Sequence, residues 1–284
     1  MSGALWMVAG IACFAVLDLN SKWLAASYGM GQVLLLRYAV TLAVLLPFLR
    51  RVGRTARPGL HLLRAVLMLV SSVTYFYAFK HLPLFDGYLV FFTAPFMVMM
   101  LARWLLRERV PKVAWLWVGL GFLGVLLALA PRIAHDAAHA ALPLAAAFLG
   151  TVTYALVLIL TRRAQRESFA ALMLWPCVVG TLASAPLAAA DWLAPDLGDT
   201  VLLLVNGLLW TAASACLSRA VQLAPPSQLA PLDFTAILWV IAFDRFVFGH
   251  VVGPLELMGA AVVVVACLLH ARSMARAAGQ APTR

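Results

Sequence analysis

Charged side chains are scarce in this sequence of 284 residues. Only 11% of the residues are Asp, Glu, Lys or Arg, whereas 64% are hydrophobic. Soluble domains carry roughly 25% charged and about 45–50% apolar residues. The chain therefore has too few charges to cover a water-soluble surface. This scarcity argues against a soluble enzyme and a disordered chain, and it predicts an integral membrane protein.

Basic residues outnumber acidic ones, and the formal net charge is +10. Nucleic-acid binding requires basic residues to cluster on one face of a soluble fold. Here they lie in short runs between apolar stretches, a distribution that is typical of membrane-protein loops. We expect the lipid bilayer as the surrounding medium and no nucleic acid as a partner.

Cysteine and catalytic motifs are also sparse. The four cysteines fall in apolar segments without a CxxC pair, so we interpret them as small buried side chains. The chain has no GxxxxGK[ST] phosphate loop and no HExxH motif. We expect no cofactor, metal or catalytic residue, and no ATP-driven transport by this chain alone. His135 and His139 are four residues apart and could bind a metal if this segment were helical, but we favour a solvated loop.

Apolar segments of transmembrane length fill most of the chain. A membrane-spanning helix needs about 20 mainly apolar residues. No Lys or Arg precedes the first apolar run, 4–16, so we interpret it as a retained span and not a signal peptide. The sequence predicts an all-α integral membrane protein with ten transmembrane helices. The predicted spans are 4–26, 31–49, 61–80, 85–105, 112–131, 141–162, 168–190, 199–219, 228–248 and 254–271.

The distribution of basic residues predicts the orientation of these spans. Connections on one side, with the tail 272–284, contain 16 of the 21 Lys and Arg residues, and the other side with its helix ends contains 5. Positive residues are retained in the cytoplasm, so both termini and the tail are predicted to be cytoplasmic. This count assigns Arg64 to the first cytoplasmic connection.

The two halves of the chain resemble each other. At an offset of about 140 residues, Glu108 aligns with His250 and Pro111 with Pro254. The halves, 4–131 and 141–271, contain five predicted spans each, and this odd number means that the second half is inverted. Inverted repeats are common in secondary transporters.

Several motifs resemble EamA-type proteins of the drug/metabolite transporter superfamily. They are TAPFMVMMLARWLLRERVP at 93–111, WVGLGFLGV at 117–125, LLLRY at 34–38, and APLDFTAILWV with FVFGH in the ninth span. The resemblance covers roughly 4–271. It implies a ten-helix carrier whose cavity is formed by the first four helices of each half, with the fifth and tenth helices at the periphery. One departure is His250, where the family's second repeat usually has Glu; histidine titrates near neutral pH.

Ionisable residues inside spans are informative because a central Asp, Lys or Arg costs about 2.5–3.5 kcal/mol to insert. Asp18 and Lys22 are four residues apart and share a helix face. The register of the first hairpin places Arg37 opposite Asp18. We predict that these three residues bind a zwitterionic or carboxylate-bearing substrate, with Asp18 also a proton-coupling candidate. The alternative is a mutually satisfied ion network that holds the hairpin together.

Other candidates lie on the third, eighth and ninth spans. A polar stripe at four-residue spacing on the eighth span predicts a cavity wall, with helix packing as the alternative. Aromatic residues at helical spacing are more often packing elements or interfacial anchors. The substrate-binding candidates from these spans are Tyr75, Asn206, Trp210, Ser214 and Phe234.

Prolines within or near spans have a mechanical interpretation. Pro95, Pro176 and Pro231 each remove an N–H and kink a helix, which makes them candidate hinges or static kinks. Charges near the connections are interpreted as structural pairs, for example Arg219 with Asp233 across the eighth-to-ninth hairpin.

Together these features predict a secondary active transporter that moves a small organic metabolite across the bacterial inner membrane by alternating access. The candidate substrates are amino acids, amino acid derivatives such as S-adenosylmethionine, and flavin-like vitamins. A membrane-embedded lipid-modifying enzyme is one alternative, for which the sequence shows no interfacial His, Asp or Glu cluster. A non-transporting scaffold is another, which the duplication disfavours. A monomer and a homodimer are both compatible with the sequence.

Overall fold

A computed structural model describes residues 2–51, 57–107, 112–249 and 253–279, and every regular element in these ranges is a helix. Two 3₁₀ segments span Leu46–Arg51 and Ala230–Thr235. The predicted repeat markers Glu108, Pro111 and His250 lie outside the described residues, as do the side chains of His135, His139 and Pro231. The helices are α1 (Gly3–Ser27), α2 (Met30–Leu45), α3 (Pro58–His81), α4 (Leu84–Phe91), α5 (Ala94–Leu105), α6 (Lys112–Arg163), α7 (Phe169–Ala190), α8 (Leu197–Leu223), α9 (Pro226–Leu229), α10 (Ala236–Phe246) and α11 (Pro254–Gly279).

The helices have the length and composition of membrane spans. Among the described residues, eight helical stretches are long and apolar enough to cross a membrane, and Trp115–Ala128 and Pro254–Ala266 are shorter apolar helices. Large apolar side chains such as Leu182 and Phe246 are 71% and 85% exposed, an unfavourable arrangement in water but not in lipid. The prediction of an all-α, multi-pass membrane protein with about ten helices is confirmed.

Proline breaks the two predicted spans that cross the centre of the molecule. The span predicted at 85–105 divides into α4 and α5, and Pro95 stands at the start of α5, where its missing N–H costs no helical hydrogen bond. The span predicted at 228–248 divides in the same way into α9, the 3₁₀ segment that contains Pro231, and α10. Pro176, in contrast, lies inside the uninterrupted helix α7.

Helix α6 is longer than the sequence suggests. A connection is predicted at 132–140, but the backbone is helical from Lys112 to Arg163. This stretch is rich in alanine, which has the highest helix propensity. The two ends of α6 have different partners. The N-terminal end of α6 contacts α11 so closely that a Cβ added to Gly259 would lie 2.5 Å from the carbonyl oxygen of Gly124.

Two residue pairs connect the α1–α2 turn and the start of α2 to the α7–α8 connection and the start of α8. The Tyr28 hydroxyl donates to Asp199 Oδ2 at 2.6 Å, and Gln32 exchanges two hydrogen bonds with the backbone of Leu193 at 2.7 and 3.0 Å. The bond to Asp199 raises the pKa of Tyr28 to about 12, so the phenol remains a donor at neutral pH. These contacts hold the two halves of the chain together at one end of the bundle.

Candidate substrate site

A cavity of about 130 Å³ lies among α1, α2, α3, α4, α6, α8 and α10. Most of its lining is apolar or aromatic, and the charged side chains among the described lining residues are Asp18, Arg37 and Arg64. Small-molecule sites commonly combine an apolar lining with a few placed polar groups. The cavity is therefore the natural candidate for a metabolite site.

Asp18 lines this cavity from α1. Its Oδ2 accepts a hydrogen bond of 2.5 Å from the hydroxyl of Tyr88 on α4, which also lines the cavity. Tyr88 stacks on Phe79, with ring centroids 5.7 Å apart. The carboxyl that the sequence singled out thus lies at an aromatic wall, with a phenol as its hydrogen-bond donor.

Arg37 is held by neutral acceptors. It is 4% exposed, its Nε donates to Asn206 Oδ1 at 2.8 Å, and its Nη2 donates to Ser21 Oγ at 2.9 Å. The Asn206 amide in turn donates to Asn20 at 2.7 Å and to Ser21 at 3.0 Å. No ion pair within 4.0 Å joins Asp18 to Arg37 in the described part of the chain. The structure thus brings Arg37 and Asn206 into direct contact, whereas the sequence assigned them to two separate groups of candidates.

Lys22 lies apart from the residues that line the cavity. Its Nζ donates to the carbonyl oxygen of Leu82, and it lies 5.1 Å from the centroid of the Phe248 ring. Of the sequence-based cluster, Asp18 and Arg37 therefore line the same cavity, and Lys22 lies outside its lining.

Of the other candidates, Tyr75, Trp210 and Ser214 line the cavity, and Asn206 and Phe234 do not. Tyr75 shares a hydrogen bond of 2.9 Å with Thr151. Trp210 packs edge-on against Tyr38 with a centroid distance of 5.1 Å. The Ser214 hydroxyl is buried and has no hydrogen-bond partner among the described residues. Phe234 packs against Phe92, with centroids 5.1 Å apart.

Arg64 is a cavity residue that the sequence interpretation assigned to a cytoplasmic connection. That assignment is wrong, since Arg64 is 1% exposed within α3 and lines the cavity. Its Nε donates to Thr161 Oγ1 at 2.7 Å, and its Nη1 donates to the carbonyl oxygen of Leu172 at 2.5 Å. A signal was available, because positions 64, 68, 71 and 75 have the i, i+4, i+7, i+11 spacing of one helix face.

A second titratable cluster lies one turn before Arg64. His61 Nε2 is 3.8 Å from Glu167 Oε1, and its ring stacks on Trp175 at a centroid distance of 6.3 Å. Neither ring nitrogen of His61 has a hydrogen-bond partner among the described residues. Glu167 is thus associated with His61, which leaves Arg64 with its neutral partners.

A second carboxyl, that of Asp233, also accepts a hydrogen bond from a tyrosine. Tyr154 lines the cavity from α6 and donates to Asp233 Oδ1 at 3.1 Å. The sequence predicted Arg219 as the partner of Asp233, but the structure shows Tyr154 in that position. Asp233 is fully buried, and its Oδ2 has no partner in the described ranges. Phe91 lies between the two tyrosines, with ring centroids 5.6 Å from Tyr88 and 5.1 Å from Tyr154. One aromatic cluster therefore joins both carboxyl–tyrosine pairs.

Comparison with known proteins places this geometry in a family. The chain is 27% identical over 275 residues to a riboflavin transporter of Vibrio cholerae, covering 93% of this chain and 91% of that protein. It is 24% identical over 268 residues to an S-adenosylmethionine uptake transporter of Rickettsia bellii, covering 93% and 91%.

A crystal structure that shares 17% identity has the same fold, with a TM-score of 0.73 over 97% of this chain and 98% of that one. The model of the EamA-like transporter family matches residues 1–130 and 141–272, which is most of the sequence. The resemblance found in the motifs is confirmed, and this protein belongs to the EamA-like transporter family.

Proposed function

We propose that this protein is a secondary carrier that moves a small organic metabolite across the bacterial inner membrane by alternating access. The observation that carries the proposal is a mainly apolar cavity, lined by helices from both family-matched regions, that contains the carboxyl of Asp18. Relatives named as riboflavin and S-adenosylmethionine transporters support vitamins and amino acid derivatives as the substrate class.

We assign the cavity residues two roles in this proposal. Asp18, with Tyr88 as its donor, binds a cationic or hydroxyl group of the substrate or carries a coupling proton. Tyr75, Trp210 and Ser214 contact the body of the substrate, since all three line the cavity.

The remaining candidates act behind that lining. Asn206 positions Arg37 through the 2.8 Å hydrogen bond, and Phe234 supports the aromatic cluster through Phe92. Lys22 acts at the edge of the site, where it bonds to the Leu82 carbonyl.

The proposed membrane topology comprises two inverted repeats of five helices, 4–131 and 141–271, with both termini and the tail 272–284 in the cytoplasm. The helix breaks at Pro95 and Pro231 support this arrangement, since they lie 136 residues apart and interrupt the fourth predicted span of each half. Broken helices at the midplane characterise inverted-repeat transporters. In this proposal the two breaks absorb the backbone changes that alternate the access.

Counterflow in liposomes tests the proposal. Purified protein is reconstituted in vesicles preloaded with each member of a metabolite panel that includes riboflavin and S-adenosylmethionine, and entry of the labelled compound is measured. The proposal predicts saturable, self-competed accumulation of at least one metabolite. The proposal would be contradicted by a flux that is the same for every compound, or by a flux that equals that of protein-free vesicles for every compound.

A further inference from the structure

We propose that Arg64 is the binding site for an anionic group, a carboxylate or a phosphate, on the transported metabolite. This inference rests on the proposed carrier function and deepens it, because it specifies the charge of the substrate. The relevant geometry is a buried guanidinium that lines the cavity and has only neutral partners among the described residues.

The partners of Arg64 leave part of its hydrogen-bonding capacity unused. A guanidinium carries five N–H donors in a planar fork. In the described part of the chain, Nε bonds to Thr161 and Nη1 bonds to Leu172. Since Thr161 and Leu172 fix the Nε and Nη1 positions, the guanidinium is oriented before a ligand arrives. An oriented fork is the group that binds carboxylates and phosphates through two parallel hydrogen bonds.

The charge balance of the cavity points to the same ligand. Its described lining contains two guanidinium groups, Arg37 and Arg64, against the single carboxyl of Asp18. Asp18 is bonded to Tyr88, and Glu167 lies beside His61. A buried charge without a counter-charge is costly. An anionic ligand would supply that counter-charge, whereas a cationic one would increase the cost.

Position along α3 separates Arg64 from the aromatic wall. Tyr75 is eleven residues later on the same helix, which corresponds to about 16 Å of rise. Met68 and Ser71 line the cavity between them. A ligand whose anionic group reaches Arg64 therefore places its body beside Met68 and its opposite end toward the tyrosines. This arrangement fits a metabolite with a carboxylate or phosphate at one end and an aromatic or polar group at the other.

Two ligand pairs, each differing in one anionic group, test the inference. They are riboflavin with riboflavin 5′-phosphate, and decarboxylated S-adenosylmethionine with S-adenosylmethionine. Binding is measured on detergent-purified protein by equilibrium dialysis, with inorganic phosphate and acetate as competitors. The variants are Arg64→Gln and Arg64→Lys, the second of which keeps the charge in case the first does not fold. Arg162→Gln is the matched control, since Arg162 also donates to backbone carbonyls, at 2.9 and 3.0 Å, but lies outside the cavity lining.

In the wild type and in Arg162→Gln, we expect the anionic member of at least one pair to bind at least about tenfold more tightly than the other member. One charge-assisted hydrogen bond is enough to provide this difference in affinity. Arg64→Gln removes this preference, and Arg64→Lys retains part of it. Competition by free phosphate or acetate at millimolar concentration shows that the anion alone is recognised; its absence shows that the whole metabolite is required.

Equal binding of both members in each pair, or a preference that survives in Arg64→Gln, would overturn the assignment. Counterflow of the members that lack the anionic group would then preserve the carrier function. The two proposals therefore fail separately.

Discussion

The cavity has two buried arginines, and the molecule holds them in different ways. Arg37 is part of a network in which its guanidinium donates to Asn206 and Ser21, and the Asn206 amide donates in turn to Ser21 and Asn20. Arg64 has one hydroxyl and one carbonyl as its described partners. The Arg37 end is a network of four described hydrogen bonds that joins α1, α2 and α8, whereas the guanidinium of Arg64 makes two described hydrogen bonds, to α6 and α7.

This difference indicates a division of labour between the two ends. A fully connected buried network stabilises one arrangement of helices. A buried cation with fewer partners contributes less to stability. It binds a ligand strongly because the cation has already lost its hydration water when the protein folds. We therefore expect the Arg37 end to contribute more to helix packing than the Arg64 end.

The largest effect is expected from Asp18→Asn, which removes the carboxyl but retains an acceptor for Tyr88. Substrate accumulation driven by a pH gradient should fall at least tenfold, an energetic change of about 1.4 kcal/mol. Counterflow, which needs no proton, should persist if Asp18 couples protons and should fall equally if Asp18 binds substrate. Full activity of this variant in both assays would remove Asp18 from the site.

An intermediate effect on stability separates the two arginine ends. Asn206→Leu leaves Arg37 without its 2.8 Å acceptor in a fully buried position, and we expect a loss of about 1–3 kcal/mol in unfolding free energy. Thr161→Val removes the corresponding acceptor of Arg64. Thr161 does not bond to further side chains among the described residues as Asn206 does, and we expect a smaller loss. Denaturant unfolding in detergent measures both variants. Equal losses would mean that the two ends are held alike.

The smallest effect is expected from Ser214→Ala. The Ser214 hydroxyl is buried but has no partner among the described residues, so its removal should change stability by less than about 0.5 kcal/mol. Because Ser214 lines the cavity, substrate affinity should fall while thermal stability remains. A stability loss comparable to that of Asn206→Leu would indicate that Ser214 serves packing.

The sequence predicted more of the fold than of the site. Apolar runs of about 20 residues define spans with little ambiguity, and Pro95 and Pro231 marked real helix breaks. Asp18 was found because an acid inside an apolar run is conspicuous. Arg64 was missed because it follows the basic connection that ends at Arg57, so proximity in sequence hid its place on the buried face of α3.

The carboxyl–tyrosine pairs could not be predicted from the sequence, because they form only through tertiary contacts. Asp18 meets Tyr88 across 70 residues and Tyr154 meets Asp233 across 79, and no local pattern encodes either contact. The partner of Arg37 depends in the same way on the packing of α2 against α8, which brings Asn206 to within 2.8 Å. Hairpin register alone pointed to Asp18 as the partner of Arg37.

The central claim, that one cavity is reached alternately from both sides, is tested most directly by thiol accessibility. In a chain without its native cysteines, Ser214→Cys places a thiol in the cavity, and Leu182→Cys provides a control at a 71% exposed apolar position on α7. A membrane-impermeant methanethiosulfonate reagent is applied to right-side-out and inside-out vesicles. The account predicts labelling of the Ser214→Cys thiol in both orientations and of the Leu182→Cys thiol in neither. Labelling of the Ser214→Cys thiol from one side only, or from neither, would contradict alternating access at this cavity.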